Sequence, residues 1–281
     1  MKYETLIIDG PYLFHRAYTA PYELSTSKGI NSKAIHNFMI SLLAVYKKFQ
    51  PNKTVVCWES HGTPSWRRQL YPQYKPSGTI EGDFLDQIND TRLLLHLLQI
   101  RQLYAPTNEA DDVIATLCAK YTDEKSTVIY TIDKDMMQLV SDKEPPIHIW
   151  DGKNILTEID VHNKFGVFPY QICDYLSLVG DKVDNIPGVN KIGPKKAVSL
   201  LEKYDSLESI SLEDLPEKEV SLMEAIRAKK LVSLNYNAQI KKLYSNHNID
   251  RNIDDILDKY ELVSIQKNIT KYTEIGEESW F

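Results

Sequence analysis

Thr127-Val128-Ile129-Tyr130-Thr131-Ile132 is a run of β-branched, apolar and aromatic residues that stops at Asp133. This composition suits a buried strand, and the run is too short to read as a helix. The same pattern occurs twice upstream. Thr5-Leu6-Ile7-Ile8 ends in Asp9-Gly10, and Lys53-Thr54-Val55-Val56-Cys57-Trp58 ends in Glu59. A fourth strand is predicted over Ile147-His148-Ile149-Trp150. Helical spacing fills the intervals. Ile35, Phe38, Met39, Leu42, Leu43 and Tyr46 mark a helix over about 32–49, and Leu85 to Leu98 marks a second. Val113, Ile114, Leu117, Cys118 and Tyr121 mark a third. Strands alternating with helices predict an α/β protein with a mostly parallel sheet. After about residue 170 the strand signal ends. Residues 171–247 read as short helices punctuated at Pro187-Gly188 and Gly193-Pro194. The expected division is 1–170, 171–250 and a C-terminal segment 251–281.

A chain of 281 residues, 42% hydrophobic and 26% charged, has the means to bury a core, so global disorder is excluded. No uninterrupted apolar run reaches membrane-spanning length, and the first residues do not read as a signal peptide. The three cysteines lie far apart without a C-x-x-C, so a disulfide scaffold or thiolate zinc site is not expected. A reducing cytoplasm is the expected compartment. The net charge of −6 would repel nucleic acid if spread evenly, so the placement of the 39 acidic residues decides its meaning.

Three strands end in a carboxylate, and ligands of open α/β sheets bind outside the carboxyl ends of strands. Any one such acid also serves as an ordinary turn or cap residue. Glu109-Ala110-Asp111-Asp112 opens the Val113 helix, where acids complement the dipole. One cap needs one side chain, and three acids in four residues repel one another unless a cation lies between them. Asp133-Lys134-Asp135 and Asp181-x-x-Asp184 add two more pairs. If the sheet gathers Asp9, Glu59, Glu109, Asp111, Asp112, Asp133, Asp135, Asp181 and Asp184, they cannot all ionise without raised pKa values or bound cations. All-oxygen ligation selects Mg²⁺ or Mn²⁺. Two such ions about 4 Å apart suit in-line displacement at phosphorus.

The stretch from Gly180 to Ala197 carries a second signal. Gly188-Val189-x-x-Ile192-Gly193 reads as a hairpin between helices that lets a phosphate approach backbone N–H groups. Lys191, Lys195 and Lys196 add positive charge. The expectation is sequence-independent binding of a DNA backbone. The competing reading is an ordinary capped helical turn.

These motifs carry a resemblance. The chain resembles the 5′-nuclease superfamily: the 5′–3′ exonuclease domain of bacterial DNA polymerase I, phage 5′-exonucleases and flap endonucleases. The matching residues are Asp9-Gly10 with Arg16-Ala17-Tyr18, Tyr74-Lys75, Glu109-Ala110-Asp111-Asp112, Asp133-Lys134-Asp135-Met136-x-Gln138-Leu139, and Gly180 through Ala197. They cover residues from about 5 to 240. Trp66-Arg67-Arg68 through Tyr74-Lys75 is similar to the phage ribonuclease H branch. The resemblance implies a PIN-like fold with helices on both sheet faces, two acidic metal sites, an arch at about 64–100 and a helix–hairpin–helix subdomain. It implies cleavage of 5′ flaps and 5′-ended duplex strands, including RNA primers, by two Mg²⁺ ions, and a K⁺ held by the hairpin's carbonyls. Lys75 and Arg16 are expected to steady the scissile phosphate or its neighbours. No polymerase domain fits within 281 residues, so a stand-alone nuclease is expected.

Two departures stand out. Glu59 occupies the position where the family has Asp, and a one-residue shift would place Ser60 there instead. Pro76-Ser77-Gly78 follows Lys75 where the family commonly has an arginine. A DNA-structure-binding protein without catalysis would keep the hairpin, but nothing would retain acids in five separate segments. A PIN-type ribonuclease toxin would share the sheet and lack the hairpin. The tail Glu277-Glu278-Ser279-Trp280-Phe281 reads either as a short anchor for a replication partner or as residues packed on the protein itself.

Overall fold

The computed structural model describes residues 2–60, 62–76, 82–121, 125–244 and 251–276. The expected tail at 277–281 and the Ser77-Gly78 departure lie outside the described residues.

The first domain opens with β1 (Thr5–Asp9), α1 (Gly10–Tyr18), α2 (Lys33–Phe49) and β2 (Lys53–Trp58). It continues through α3 (Trp66–Leu70), α4 (Gly82–Leu97), β3 (Gln102–Tyr104), α5 (Ala110–Tyr121), β4 (Thr127–Tyr130), β5 (Ile147–Trp150) and β6 (Ile155–Leu156). The helical region follows with α6 (Glu158–Phe165), α7 (Ile172–Val179), β7 (Gly180–Asp181), β8 (Ile186–Pro187), α8 (Pro194–Tyr204) and α9 (Glu219–Val232). The chain then returns through β9 (Lys241–Lys242), α10 (Ile253–Lys259), α11 (Val263–Gln266) and α12 (Ile269–Gly276).

The seven-stranded sheet has the order β6-β5-β4-β1-β2-β3-β9. Its five inner strands are parallel, and β6 and β9 close the edges antiparallel. Asp9 lies level with Cys57, and Ile8 with Tyr130, so β1, β2 and β4 end at one edge of the sheet. This register turns three separate strand-end motifs into neighbours.

Alternation along each strand divides the core in two. Ile7, Val55, Cys57, Leu103 and Ile129 face one side, where α5, α7, α8 and α9 pack. Leu6, Ile8, Val56, Trp58, Val128 and Tyr130 face the other, against α1, α2, α4 and the C-terminal helices. Each fully buried side chain of this kind contributes roughly 1.5–3 kcal/mol. The helical region thus shares its core with the sheet. The segment from 251 also folds back: Tyr272 is fully buried and its hydroxyl donates to the Met39 carbonyl at 3.1 Å.

The expected arch is corrected over most of α4. Ile88, Leu94, Leu95 and Leu98 are buried in the second core. Gln87 Oε1 accepts from the Ala34 and Ile35 amides at the start of α2, at 3.0 and 3.3 Å. An apolar helical stripe here is a core contact, so only the part of 64–100 before about residue 87 remains for an arch.

Five short strands, β3, β6, β7, β8 and β9, escape the sequence. β3 carries Gln102 at a buried position, where it accepts from Trp58 Nε1 at 2.9 Å and donates to the Arg92 carbonyl at 2.8 Å. β7, β8 and β9 have two residues each. β4 ends at Tyr130, two residues before the expected end, because Thr131 turns its side chain into the site.

Candidate metal centre

Directly after Asp9 the chain enters a helix. Asp9 caps α1, its Oδ1 accepting from the Tyr12 amide at 3.1 Å, and Pro11 lies in the first turn. Gly10 allows α1 to leave the sheet edge, since a Cβ there would lie 2.6 Å from the Trp58 ring and 2.7 Å from the Cys57 carbonyl. The other oxygen of Asp9 accepts from Thr131 Oγ1 at 2.7 Å. Thr131 also accepts from the Asp133 amide at 3.1 Å, and Asp133 accepts from the Asp135 amide at 2.9 Å. A chain of local hydrogen bonds therefore sets three carboxylates in order.

Asp9, Glu59, Glu109, Asp111, Asp133 and Asp184 line one cavity of about 530 Å³, together with Lys75. Asp135, Asp181 and Asp184 form a second, tighter group whose oxygens lie within 4.8 Å of one another. Asp184 belongs to both. The structure thus brings eight of the nine expected acids together.

The ninth is a correction. Asp112 is fully buried and turned away from the cavity. Its oxygens take a bidentate pair from Arg67 at 2.8 Å each. They also accept from Trp66 Nε1, the Glu109 amide and the Asn235 amide. One residue along a helix is a rotation of about 100°, so adjacent acids on α5 cannot face the same way. Asp112 fixes α3 and the end of α9 to α5, as Arg67 also donates to the Leu231 and Ser233 carbonyls at 2.7 and 2.8 Å.

Crowding governs the charge of the cluster. Burial pushes the Asp9 carboxyl up to about 6, and its bonds to Thr131 and Tyr12 only partly oppose this. Burial, with Asp133 beside it, drives Asp111 well above the usual carboxylate range. Burial and then Asp133, Asp184 and Asp181 push Asp135 up to about 8. Burial also raises Asp184. For Glu109 burial acts upward, but Lys75 and Arg67 hold the carboxyl below its ordinary value. Lys75 is the counter-charge. Its Nζ lies 2.7 Å from Glu109 Oε2 and 3.6 Å from Asp184 Oδ2, and the surrounding acids raise its pKa despite burial.

Sequence reasoning left several groups without a role. Tyr74 is buried with its hydroxyl 3.0 Å from Glu109 Oε2 and 3.2 Å from Asp184 Oδ2. Lys134 pairs with Asp181 Oδ1 at 2.7 Å. Both lie inside quoted motifs. Thr131 had only its place next to a strand-end acid as a signal.

Arg16 is not part of the acidic cavity. It lines an adjoining cavity of about 430 Å³ with Tyr12, His15, Thr19, Ile132 and Asp151, and it bonds the Tyr130 hydroxyl. Tyr12, His15 and Ile132 border both cavities.

The hairpin residues divide into two kinds. Val189 and Ile192 are buried, and their amides donate to the Leu178 and Val189 carbonyls at 2.8 and 3.1 Å. They hold the hairpin's shape and are not exposed contacts, which corrects their expected role. Gly188 packs against the chain at Val179, where a Cβ would meet backbone at 2.3 Å. Gly193 caps α8 with open space before it, and Lys195 and Lys196 stand exposed on the first turn. Lys191 lies 3.6 Å from Glu217.

Whether the acids suit a cation is answered by one atom. Asp135 Oδ1 is buried and has no hydrogen-bond partner among the described residues. A buried carboxylate oxygen without a partner is costly, and two further carboxylates within coordination reach deepen the cost. A hard divalent cation relieves both, and the donors are all oxygen. Carboxylates gathered at the carboxyl edge of a parallel sheet, with an exposed basic helix start nearby, define a metal-dependent nuclease.

Comparison with known proteins agrees. Residues 4–166 match the family described as 5′-3′ exonuclease, N-terminal resolvase-like domain. Residues 167–275 match 5′-3′ exonuclease, C-terminal SAM fold. The chain belongs to the 5′–3′ exonuclease family. It is 38% identical to a 5′-3′ exonuclease of Aquifex aeolicus over 89% of this chain and 85% of the other. It is 30% identical to one of Mycoplasmopsis pulmonis over 98% and 96%. In fold it is similar to the flap endonuclease of bacteriophage T5, solved as a pseudo-enzyme–product complex with DNA and metal ions. That match has a TM-score of 0.66 at 19% identity, over 98% of this chain and 99% of the other. No helix among the described residues is long and apolar enough to cross a membrane.

Proposed function

We propose that this 5′–3′ exonuclease also cleaves 5′ flaps, and that it hydrolyses phosphodiester bonds in DNA, and in RNA primers paired to DNA, with two Mg²⁺ ions. The observation that carries the reading is the pair of contiguous acidic groups, one of them containing the partnerless Asp135 oxygen. Asp9, Glu59, Glu109, Asp111 and Asp133 would hold one ion, and Asp135, Asp181 and Asp184 the other. Mn²⁺ would substitute for Mg²⁺ on the same donors. The ions would lower the pKa of a bound water and offset charge on the phosphate.

The chain's own residues supply position. Lys75 lines the same cavity as Asp9, so a phosphate bound there would meet its ammonium as the acids are neutralised. Tyr74 fixes Glu109 and Asp184 relative to each other. Arg16, one cavity away, would hold the neighbouring phosphate. The start of α8, with Gly193, Lys195 and Lys196, would track the duplex backbone, and Gly188 and Lys191 would place the hairpin that carries K⁺. The folding units are read as 1–170, 171–250 and the returning segment.

A 5′-labelled flap substrate tests the reading. Cleavage is expected with Mg²⁺ and none with chelator, and Asp133→Ala should abolish it while leaving DNA binding near normal. Cleavage by Asp133→Ala within tenfold of the unaltered protein would overturn the assignment.

A further inference from the structure

A separate groove adjoins the two loops that supply Lys75 and Asp184. It measures about 440 Å³ and lies between Leu70 and Tyr71 at the end of α3, Pro187 of β8, and Arg227, Lys230 and Leu231 of α9. No carboxylate lines it, in a chain with 39 acidic and 33 basic residues. Leu70 is 56% exposed, a large apolar side chain left open to solvent. Arg227 and Lys230 are three apart on α9, hence on one face, and neither is ion-paired among the described residues.

An occupant must match an apolar and aromatic wall with two cations at its rim. A nucleotide does so, with a flat base for Tyr71 and Leu70 and a phosphate for the cations. Stacked bases within a duplex show no free face, so the nucleotide must be unpaired. The groove is also tied to the catalytic loops. The Tyr74 amide donates to the Tyr71 carbonyl at 2.9 Å, and the Lys75 amide to the Asp184 carbonyl at 3.0 Å. Asn185 Nδ2 donates to the Gln73 carbonyl at 2.9 Å. A nucleotide seated on Tyr71 and Pro187 would brace the turn that carries Lys75.

We propose that this groove is a subsite for an unpaired nucleotide of the substrate, its base against Tyr71 and Leu70 and its phosphate between Arg227 and Lys230. The proposal rests on the nuclease reading above and names where a single-stranded arm is gripped away from the acids.

The test compares two DNAs, a duplex with a single-stranded 5′ arm and the same duplex without it, bound in chelator and followed by fluorescence anisotropy. The double variant Arg227→Ala/Lys230→Ala and the single variant Leu70→Ser alter exposed side chains, and their melting temperatures verify the fold. Each should bind the armed duplex at least tenfold more weakly and the plain duplex within twofold of the unaltered protein. The salt slope for the armed duplex should fall by about 0.7 in the double variant, as expected for one single-strand phosphate held by the two side chains. Equal weakening on both DNAs would identify a general duplex contact and overturn the proposal, as would unchanged binding of both. Failure of the unaltered protein to cleave with Mg²⁺ is a separate readout that would refute the nuclease reading instead.

Discussion

Asp111 and Asp112 are neighbours in sequence, and their substitution should have opposite consequences. Asp112→Asn keeps the shape and removes the charge opposite Arg67. Arg67 is 2% exposed, and Asp112 is fully buried. The guanidinium would keep its bonds to the Leu231 and Ser233 carbonyls and lose a bidentate carboxylate. Breaking a buried pair from one side costs about 3–5 kcal/mol. At about 2–4 °C per kcal/mol for a chain of this size, the melting temperature should fall on the order of 10 °C. Asp111→Asn removes a carboxylate that is forced well above its usual pKa, so the metal-free protein should melt at or above the unaltered temperature. The assay pairs a thermal melt in chelator with single-turnover cleavage in Mg²⁺ well below either midpoint. Asp112→Asn should retain cleavage within about tenfold, whereas Asp111→Asn should lose at least a hundredfold. An Asp112→Asn protein that melts normally but does not cleave would make Asp112 a ligand and refute the division of α5 into a structural and a metal-facing side.

In chelator, stability should decline as pH rises from about 4 to about 8. The raised carboxyls Asp9 and Asp135 are fully protonated in the native state below their ordinary values near 3.8, and that contribution is lost as pH passes their folded values of about 6 and about 8; melts across this range with and without Mg²⁺ would reveal it, and a rising stability would contradict it. Lys195→Ala or Lys196→Ala should weaken duplex binding irrespective of sequence and lower the salt slope by about 0.9 per lysine, measured by salt titration. Arg16→Ala should raise the substrate concentration needed for half-maximal cleavage more than it slows the saturated rate, and steady-state kinetics would separate the two.

The layered sheet was legible because its strands are apolar and short and each ends in an acid. Strands 53–58 and 147–150 fall where the residues put them. What the sequence hides is orientation within a turn. Asp111 and Asp112 share charge, spacing and helix, and only the packing of Arg67 beneath α5 assigns them different work. Gln102 hides β3 for the same reason: its polarity is satisfied by the Trp58 indole and the Arg92 carbonyl, contacts that only the folded chain makes. The helix after Asp9 was available in the residues themselves, since a capping aspartate followed by Pro11 announces it. The α4 stripe was visible too, but an apolar stripe shows that a helix is covered, not by what.

The same contrast explains why an acidic protein can handle a polyanion. The acids are gathered where cations would neutralise them, and nearby counter-charges are already spent, Lys75 on Glu109 and Lys134 on Asp181 within the site and Arg67 on Asp112 in the core beside it. Lys195, Lys196, Arg227 and Lys230 stand outside it and exposed. A uniform charge of −6 would repel DNA at every approach. Divalent cations in the acidic groups would remove most of that repulsion and leave the outlying bases to set the approach. DNA affinity should therefore rise with the occupancy of the acidic groups. A non-cleaving divalent ion such as Ca²⁺ should tighten binding of a plain duplex severalfold at constant ionic strength, measured by anisotropy. The Asp135→Asn/Asp184→Asn variant should show a smaller gain, because it has already shed two of the charges that the ion offsets. If Ca²⁺ left the affinity of the unaltered protein unchanged, the acids would not be the source of the repulsion, and the separation of charge would have no part in substrate binding.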